Sequence, residues 1–157
     1  MIGEGEKAPD FTLFDSTKKQ VTLSKELGEH PVVLAFFPGA FTGTCQAELC
    51  SIRDRIADFE KVQAKVLAIS VDSPFANQAF KEKNSLPFPL LSDFDRQTIT
   101  HYGLVGRNLG GVTGYSYAKR SVLILDRAGA IRWKWVTEDP GVAPDVNQVI
   151  AALSKAI

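Results

Sequence analysis

Val32-Val33-Leu34-Ala35-Phe36-Phe37-Pro38-Gly39-Ala40-Phe41-Thr42-Gly43-Thr44-Cys45 is the stretch that decides the fold. Its first half is almost continuously apolar, the mark of a strand buried on both faces. Pro38-Gly39 then punctuates the chain as a turn. Beyond it, Cys45, Leu49, Ile52, Ile56 and Phe59 recur at spacings of four, three, four and three, which predicts an amphipathic helix over residues 42–62 with Cys45 as the first member of its buried stripe. A cysteine in the first turn of a helix meets the positive end of the helix dipole and unpaired backbone N–H groups, and both favour thiolate over thiol. The thiolate is the nucleophile, so a reactive cysteine is expected at position 45. Cys50 lies five residues on, with Arg53, Asp54 and Ala57, on a different and more polar face.

Outward from this unit the pattern alternates. Residues 11–14 and 20–23 read as two short strands around a polar turn, an N-terminal β-hairpin. Residues 24–28 read as a helical turn stopped by Gly28. Val66-Leu67-Ala68-Ile69-Ser70-Val71 is a second buried strand. Pro74 in a first helical turn, with Ser73 before it as N-cap, predicts a helix from residue 74. Phe88-Pro89-Leu90-Leu91 leads into an Asp93 cap and a helix over residues 95–102 ended by Gly103. The glycine-rich residues 104–114 read as a loop. Residues 120–125 form a strand, the turn at 126–129 follows, and Ile131, Trp133 and Trp135 alternate in a hairpin partner. A closing amphipathic helix spans 145–157. Together these predict an α/β chain with a central mixed β-sheet flanked by helices, its site at the end of a central strand.

The 157 residues suit one domain, 1–157. With 18 basic and 18 acidic residues, bulk charge gives no reason to expect a nucleic-acid partner. The longest apolar run is far short of a membrane span, and residues 1–7 lack the features of a signal peptide. Two cysteines do not make a disulfide-rich scaffold. A cytoplasmic location is therefore expected, where paired thiols are catalytic more often than structural.

The spacing Pro38-x-x-x-Thr42-x-x-Cys45, set between a buried strand and an amphipathic helix, resembles the active-site motif of the peroxiredoxins. The resemblance runs through nearly the whole chain, including Gly5-Glu6-Lys7-Ala8-Pro9-Asp10-Phe11, Ile69-Ser70-Val71-Asp72-Ser73, Phe88-Pro89-Leu90-Leu91-Ser92-Asp93 and Arg120 at the start of its strand. Phe41-Thr42-Gly43 with Cys45-Gln46 and Glu48 is similar to the alkyl hydroperoxide reductase E type. Cys50 is similar to the bacterioferritin-comigratory (Q type) arrangement. The resemblance implies a thioredoxin-like fold and thiol-dependent reduction of hydrogen peroxide or organic hydroperoxides. It makes Cys45 the peroxidatic cysteine, Thr42 its hydroxyl partner, Pro38 its shield, Arg120 the partner arginine and Glu48 the residue that orients it. Cys50 would resolve the Cys45 sulfenic acid, and a thioredoxin- or glutaredoxin-type donor would restore the dithiol. No metal or organic cofactor is implied, and the protein would be a monomer or homodimer. Two alternatives stand beside this: a one-cysteine peroxidase resolved by an external thiol, and a redox sensor that passes oxidation to a partner.

The chemistry fits the residue types. Arg offers a planar fork that can donate to two atoms at once, and with backbone N–H groups it can hold charge on a departing oxygen. The Thr42 hydroxyl is expected to accept from the peroxide and donate to sulfur. Five residues along a helix rise about 7.5 Å and turn roughly 140°, whereas a disulfide needs Cα atoms about 4.4–6.8 Å apart. A Cys45–Cys50 bond therefore requires residues 42–53 to unwind. Other residues invite chemistry less well. His30 and His101 have no ligand partners at helical spacing. The glycines at 103–114 match no phosphate-binding motif. Trp133 and Trp135 read as packing, and Phe41, Tyr115 and Tyr117 as packing, a dimer surface or a substrate mouth.

Overall fold

The computed structural model describes residues 2–156. The chain opens with strands β1 (Thr12–Asp15) and β2 (Gln20–Thr22), a short helix α1 (Leu23–Glu26) and strand β3 (Val32–Phe36). Helices α2 (Gly43–Asp54) and α3 (Ile56–Glu60) lead to strand β4 (Lys65–Ser70) and helix α4 (Pro74–Asn84). Strand β5 (Leu90–Ser92), helix α5 (Gln97–His101) and strands β6 (Val105–Arg107), β7 (Ser116–Ala118), β8 (Ser121–Leu125) and β9 (Ile131–Val136) follow, and helix α6 (Val146–Ala156) closes the described chain.

Seven strands form one sheet in the order β2-β1-β5-β4-β3-β8-β9. β3, β4 and β5 run parallel, whereas β8 is antiparallel to β3 and β1 to β5. The sheet is mixed, with the N-terminal hairpin at one edge, as expected. β3 is buried at every position, and its period of two divides the core. Val33, Ala35 and Phe37 pack with Cys45, Leu49, Phe59, Val122 and Val149 on one face. Val32, Leu34 and Phe36 pack with Ile99, Tyr102 and Leu104 on the other. Helix α4 starts as its sequence predicts, with the Ser73 hydroxyl accepting from the Ala76 N–H.

Three expectations change. The helix over 42–62 is two helices, broken at Arg55 (φ −113°, ψ 16°). No Gly or Pro marks the break. The Arg55 guanidinium at the break binds Asp58 within α3 and reaches Asn147 on α6. The helix expected from residue 95 starts at Gln97, because Arg96 takes a left-handed conformation and the Asp93 carboxylate accepts from the Thr98 and Ile99 N–H groups. Residues 104–114 are not all loop: β6 pairs with β7. Gly106 is there for close approach, since a Cβ would stand 2.3 Å from the Tyr117 ring.

Candidate active site

Cys45 occupies the first turn of α2 and is fully buried. The turn that delivers it is held from both sides. Phe41 sits at φ 65°, a left-handed conformation that costs a non-glycine residue about 1–3 kcal/mol and needs support from its surroundings. That support comes from the Ala40 N–H, which donates to Asp72 Oδ2 at 2.7 Å, and from Ser70 Oγ, which donates to the same oxygen at 2.8 Å. Thr42 is the N-cap residue, but its Oγ1 donates to the Gly39 carbonyl at 2.8 Å rather than capping the helix. The first N–H groups of α2 thus have neither an intrahelical partner nor this side chain as a cap, which leaves the positive end of the helix open beside the sulfur. Pro38 is buried at the base of the turn and offers no N–H.

Strand register brings in the arginine. Ser121 of β8 pairs with Phe36 of β3, so Arg120 arrives beside the chain just before Pro38. Its side chain is 1% exposed. Nη2 donates to Cys45 Sγ at 3.2 Å and to the Pro140 carbonyl at 2.7 Å, and Nη1 donates to Glu48 Oε1 at 2.7 Å. One planar group therefore ties the cysteine, its own helix and the loop before α6. Glu48 Oε2 and Arg120 Nε are buried without partners, so the pair is held by a single contact. Burial pushes the Glu48 carboxyl up to about 7, with Arg120 pulling against it.

The structure thus brings Arg120, Cys45 and Glu48 into contact, with Pro38 and Thr42 in the adjoining turn. One expectation shifts. Thr42 gives its hydrogen to Gly39 and not to the sulfur, because the tight turn places that carbonyl within reach; its lone pairs remain free to accept. Cys50 is only half-buried and faces α4, where its thiol lies 3.7 Å from Asn84 Oδ1. Both cysteines are free thiols. Phe41 is half-exposed and meets Phe80 edge-on; Tyr117 is a packing residue, buried over Gly106. His30 Nδ1 lies 2.9 Å from the Gln63 carbonyl. Asp72 and Pro140 were missed by sequence reasoning. A backbone acceptor such as Pro140 has no side-chain signature, and Asp72 reads only as a polar strand end. A groove of about 530 Å³ is lined by Arg132, Trp133, Gln148 and further residues of α6 and by none of the site residues.

Comparison with known proteins gives the family. Residues 4–134 match the AhpC/TSA family. Alkyl hydroperoxide reductase E of Mycobacterium tuberculosis is 38% identical over 147 residues, 92% of each chain. The chloroplastic peroxiredoxin Q of Suaeda salsa is 37% identical over 131 residues, 83% of this chain and 58% of that protein. The crystal structure of peroxidoxin BcpB from Mycobacterium tuberculosis superposes with a TM-score of 0.86 at 28% identity, covering 99% of this chain and 98% of that one. A mixed sheet flanked by helices, a cysteine in the first turn after its central strand and a match spanning most of the sequence lead to one conclusion: the chain belongs to the AhpC/TSA family and is a peroxiredoxin, a thiol peroxidase of thioredoxin fold.

Proposed function

We propose that Cys45 is the sulfur that peroxide oxidises and that Cys50 resolves it. The observation that carries the first half is the 3.2 Å contact between Arg120 Nη2 and the buried Cys45 Sγ. The Cys45 thiolate attacks one peroxide oxygen, the O–O bond breaks, and the sulfur keeps that oxygen as sulfenic acid. The other oxygen leaves with the bonding pair and takes a proton to become water or an alcohol. Arg120 and the open N–H groups of α2 face the charge that builds on the oxygens. Thr42 accepts from the peroxide hydroxyl, and Pro38 keeps N–H donors and water away from the sulfur. Glu48 orients the Arg120 fork, as does the Pro140 carbonyl.

In the second half, a disulfide forms between Cys45 and Cys50 and a thioredoxin- or glutaredoxin-type dithiol reduces it. Both cysteines lie within the intact α2, so the helix must open first. Among the described residues no helix is long and apolar enough to cross a membrane. Resolution by an external thiol is the second reading. What favours it is that Cys50 faces Asn84 while Cys45 faces Arg120.

Mass spectrometry after one equivalent of peroxide tests the proposal. The expected product is a Cys45–Cys50 disulfide in the wild type and no oxidation at Cys50 in Cys45→Ser. A stable Cys45 sulfenic acid with Cys50 still reduced would select the external thiol.

A further inference from the structure

Two sets of side-chain hydrogen bonds hold α2 to the rest of the described chain. Cys45 and Glu48 bind Arg120, and Cys50 and Arg53 bind Asn84. The second set converges on one residue. Asn84 ends α4 and is 6% exposed. Its Nδ2 donates to the Phe80 carbonyl at 3.0 Å, which fixes the amide so that Oδ1 accepts from the Cys50 thiol. Its backbone carbonyl accepts from Arg53 Nη1 at 2.6 Å. That carbonyl is free for the purpose because α4 closes with Ser85 in a left-handed conformation (φ 50°). The N–H groups of Ser85 and Leu86 turn back to the Glu82 and Lys81 carbonyls, leaving that of Asn84 as an orphan of the helix end.

We infer that Asn84 and Arg53 form a clasp that holds Cys50 in the closed helix and sets the rate of the resolving step. The inference rests on Cys50 being the resolving thiol. In that step the Cys50 sulfur, having given up its proton, attacks the Cys45 sulfur. The S–O bond of the sulfenic acid breaks, and the leaving hydroxide takes a proton to become water. α2 must unwind for the two sulfurs to meet, so the Arg53 and Cys50 contacts with Asn84 break before the S–S bond forms. The clasp also reads the redox state. The bond to Asn84 Oδ1 uses the hydrogen of a thiol, which a disulfide lacks. The contact is therefore available only to the reduced form and closes again when the dithiol is restored. Arg53 and Asn84 act through Cys50 and touch neither substrate nor the reacting oxygen.

Rapid-quench thiol alkylation, which follows Cys45 oxidation and disulfide formation as separate phases, tests this on the full chain. Loss of a partly exposed charge-assisted hydrogen bond predicts that Arg53→Met speeds disulfide formation about fivefold and leaves the first oxidation rate unchanged. Arg53→Lys, which keeps a donor, returns the second phase toward the wild-type rate. Ile99→Val loosens the opposite face of the sheet and leaves both phases unchanged. Amide exchange of residues 48–54 in the reduced protein rises in Arg53→Met alone. A disulfide phase equal to wild type in Arg53→Met, or one accelerated as much by Ile99→Val, overturns the clasp while Cys50 remains the resolver. Absence of any Cys45–Cys50 disulfide in the wild type overturns both.

Discussion

Cys45 and Cys50 stand five residues apart on one helix and live in opposite surroundings. Cys45 is fully buried against a guanidinium that is itself buried, at the open end of a helix whose entry turn is pinned by Asp72 and Gly39. Cys50 is half-buried and touches a neutral amide at 3.7 Å. The difference separates two demands on one helix. The end that faces negative charge is rigid and positively lined. The middle is joined to α4 by contacts that can be broken and remade. The sharpest way to break this contrast is to remove each sulfur in turn. Cys45→Ser is expected to abolish peroxide consumption in a steady-state assay. Cys50→Ser is expected to undergo a single oxidation at Cys45 and then stall with a thioredoxin-type donor. Equal loss of the first oxidation in both variants would erase the contrast.

Arg120 carries the next largest effect. Arg120→Ala removes donors to Cys45, Glu48 and Pro140 together. Loss of such a charge-stabilising donor predicts a fall of about 10²–10³ in the rate of Cys45 oxidation by stopped flow. Arg120→Lys is expected to recover little of it, because an ammonium cannot hold Glu48 and the sulfur with one planar fork. Arg120→Ala also leaves Glu48 buried without its partner, and breaking a buried ion pair destabilises by about 3–5 kcal/mol, readable as a lower urea midpoint. A rate loss with no stability loss would mean that Glu48 does not depend on Arg120.

Glu48 separates the two ends of α2 by pH. Its carboxyl is raised from 4.5 to about 7 by burial. Between those values the folded protein keeps a proton that the unfolded chain gives up. Stability from this group is therefore fully present below about 4.5 and is lost as pH rises through about 7. Glu48→Gln carries no proton to lose, so its urea stability between about pH 5 and 8 is expected to slope less than that of the wild type, by at most about 3 kcal/mol over the range. A slope equal to wild type would place the proton elsewhere.

Why the rigid end was easier to read than the detachable one follows from the kinds of contact each uses. The strand at 32–37 showed in its unbroken apolar run, and the buried stripe of α2 in its spacing. Pro38, Thr42 and Cys45 stand out by a motif whose residue types are tied to their chemistry, and Arg120 by the family resemblance at the start of its strand. The partners of Cys50 have no such mark. Asn84 is one polar residue at a helix end, and its carbonyl would be the same in any residue. Arg55 at the helix break reaches Asn147, remote in sequence, and no Gly or Pro marks the break. Gly106 was misread with its neighbours because a glycine that makes room for Tyr117 looks the same, in sequence, as one that makes a turn.

That break yields the smallest effect and the finest test of the contrast. α2 and α3 share one apolar stripe, yet the backbone at Arg55 leaves the helical path. Arg55 binds Asp58 and Asn147, and Phe59 is fully buried in the core. Neither Arg55 contact involves Cys45, Cys50 or Asn84. If α2 opens to form the disulfide, its unwinding has no reason to cross into α3, whose anchors lie on α6 and in the core. Hydrogen exchange on the oxidised protein is therefore expected to show faster exchange over residues 43–54 and unchanged protection over 57–61. Far-UV circular dichroism would fall by no more than the helical signal of α2. Protection lost evenly through residue 60 would show that the two helices open as one unit, and that the Arg55 anchors do not divide the part of the helix that moves from the part that stays.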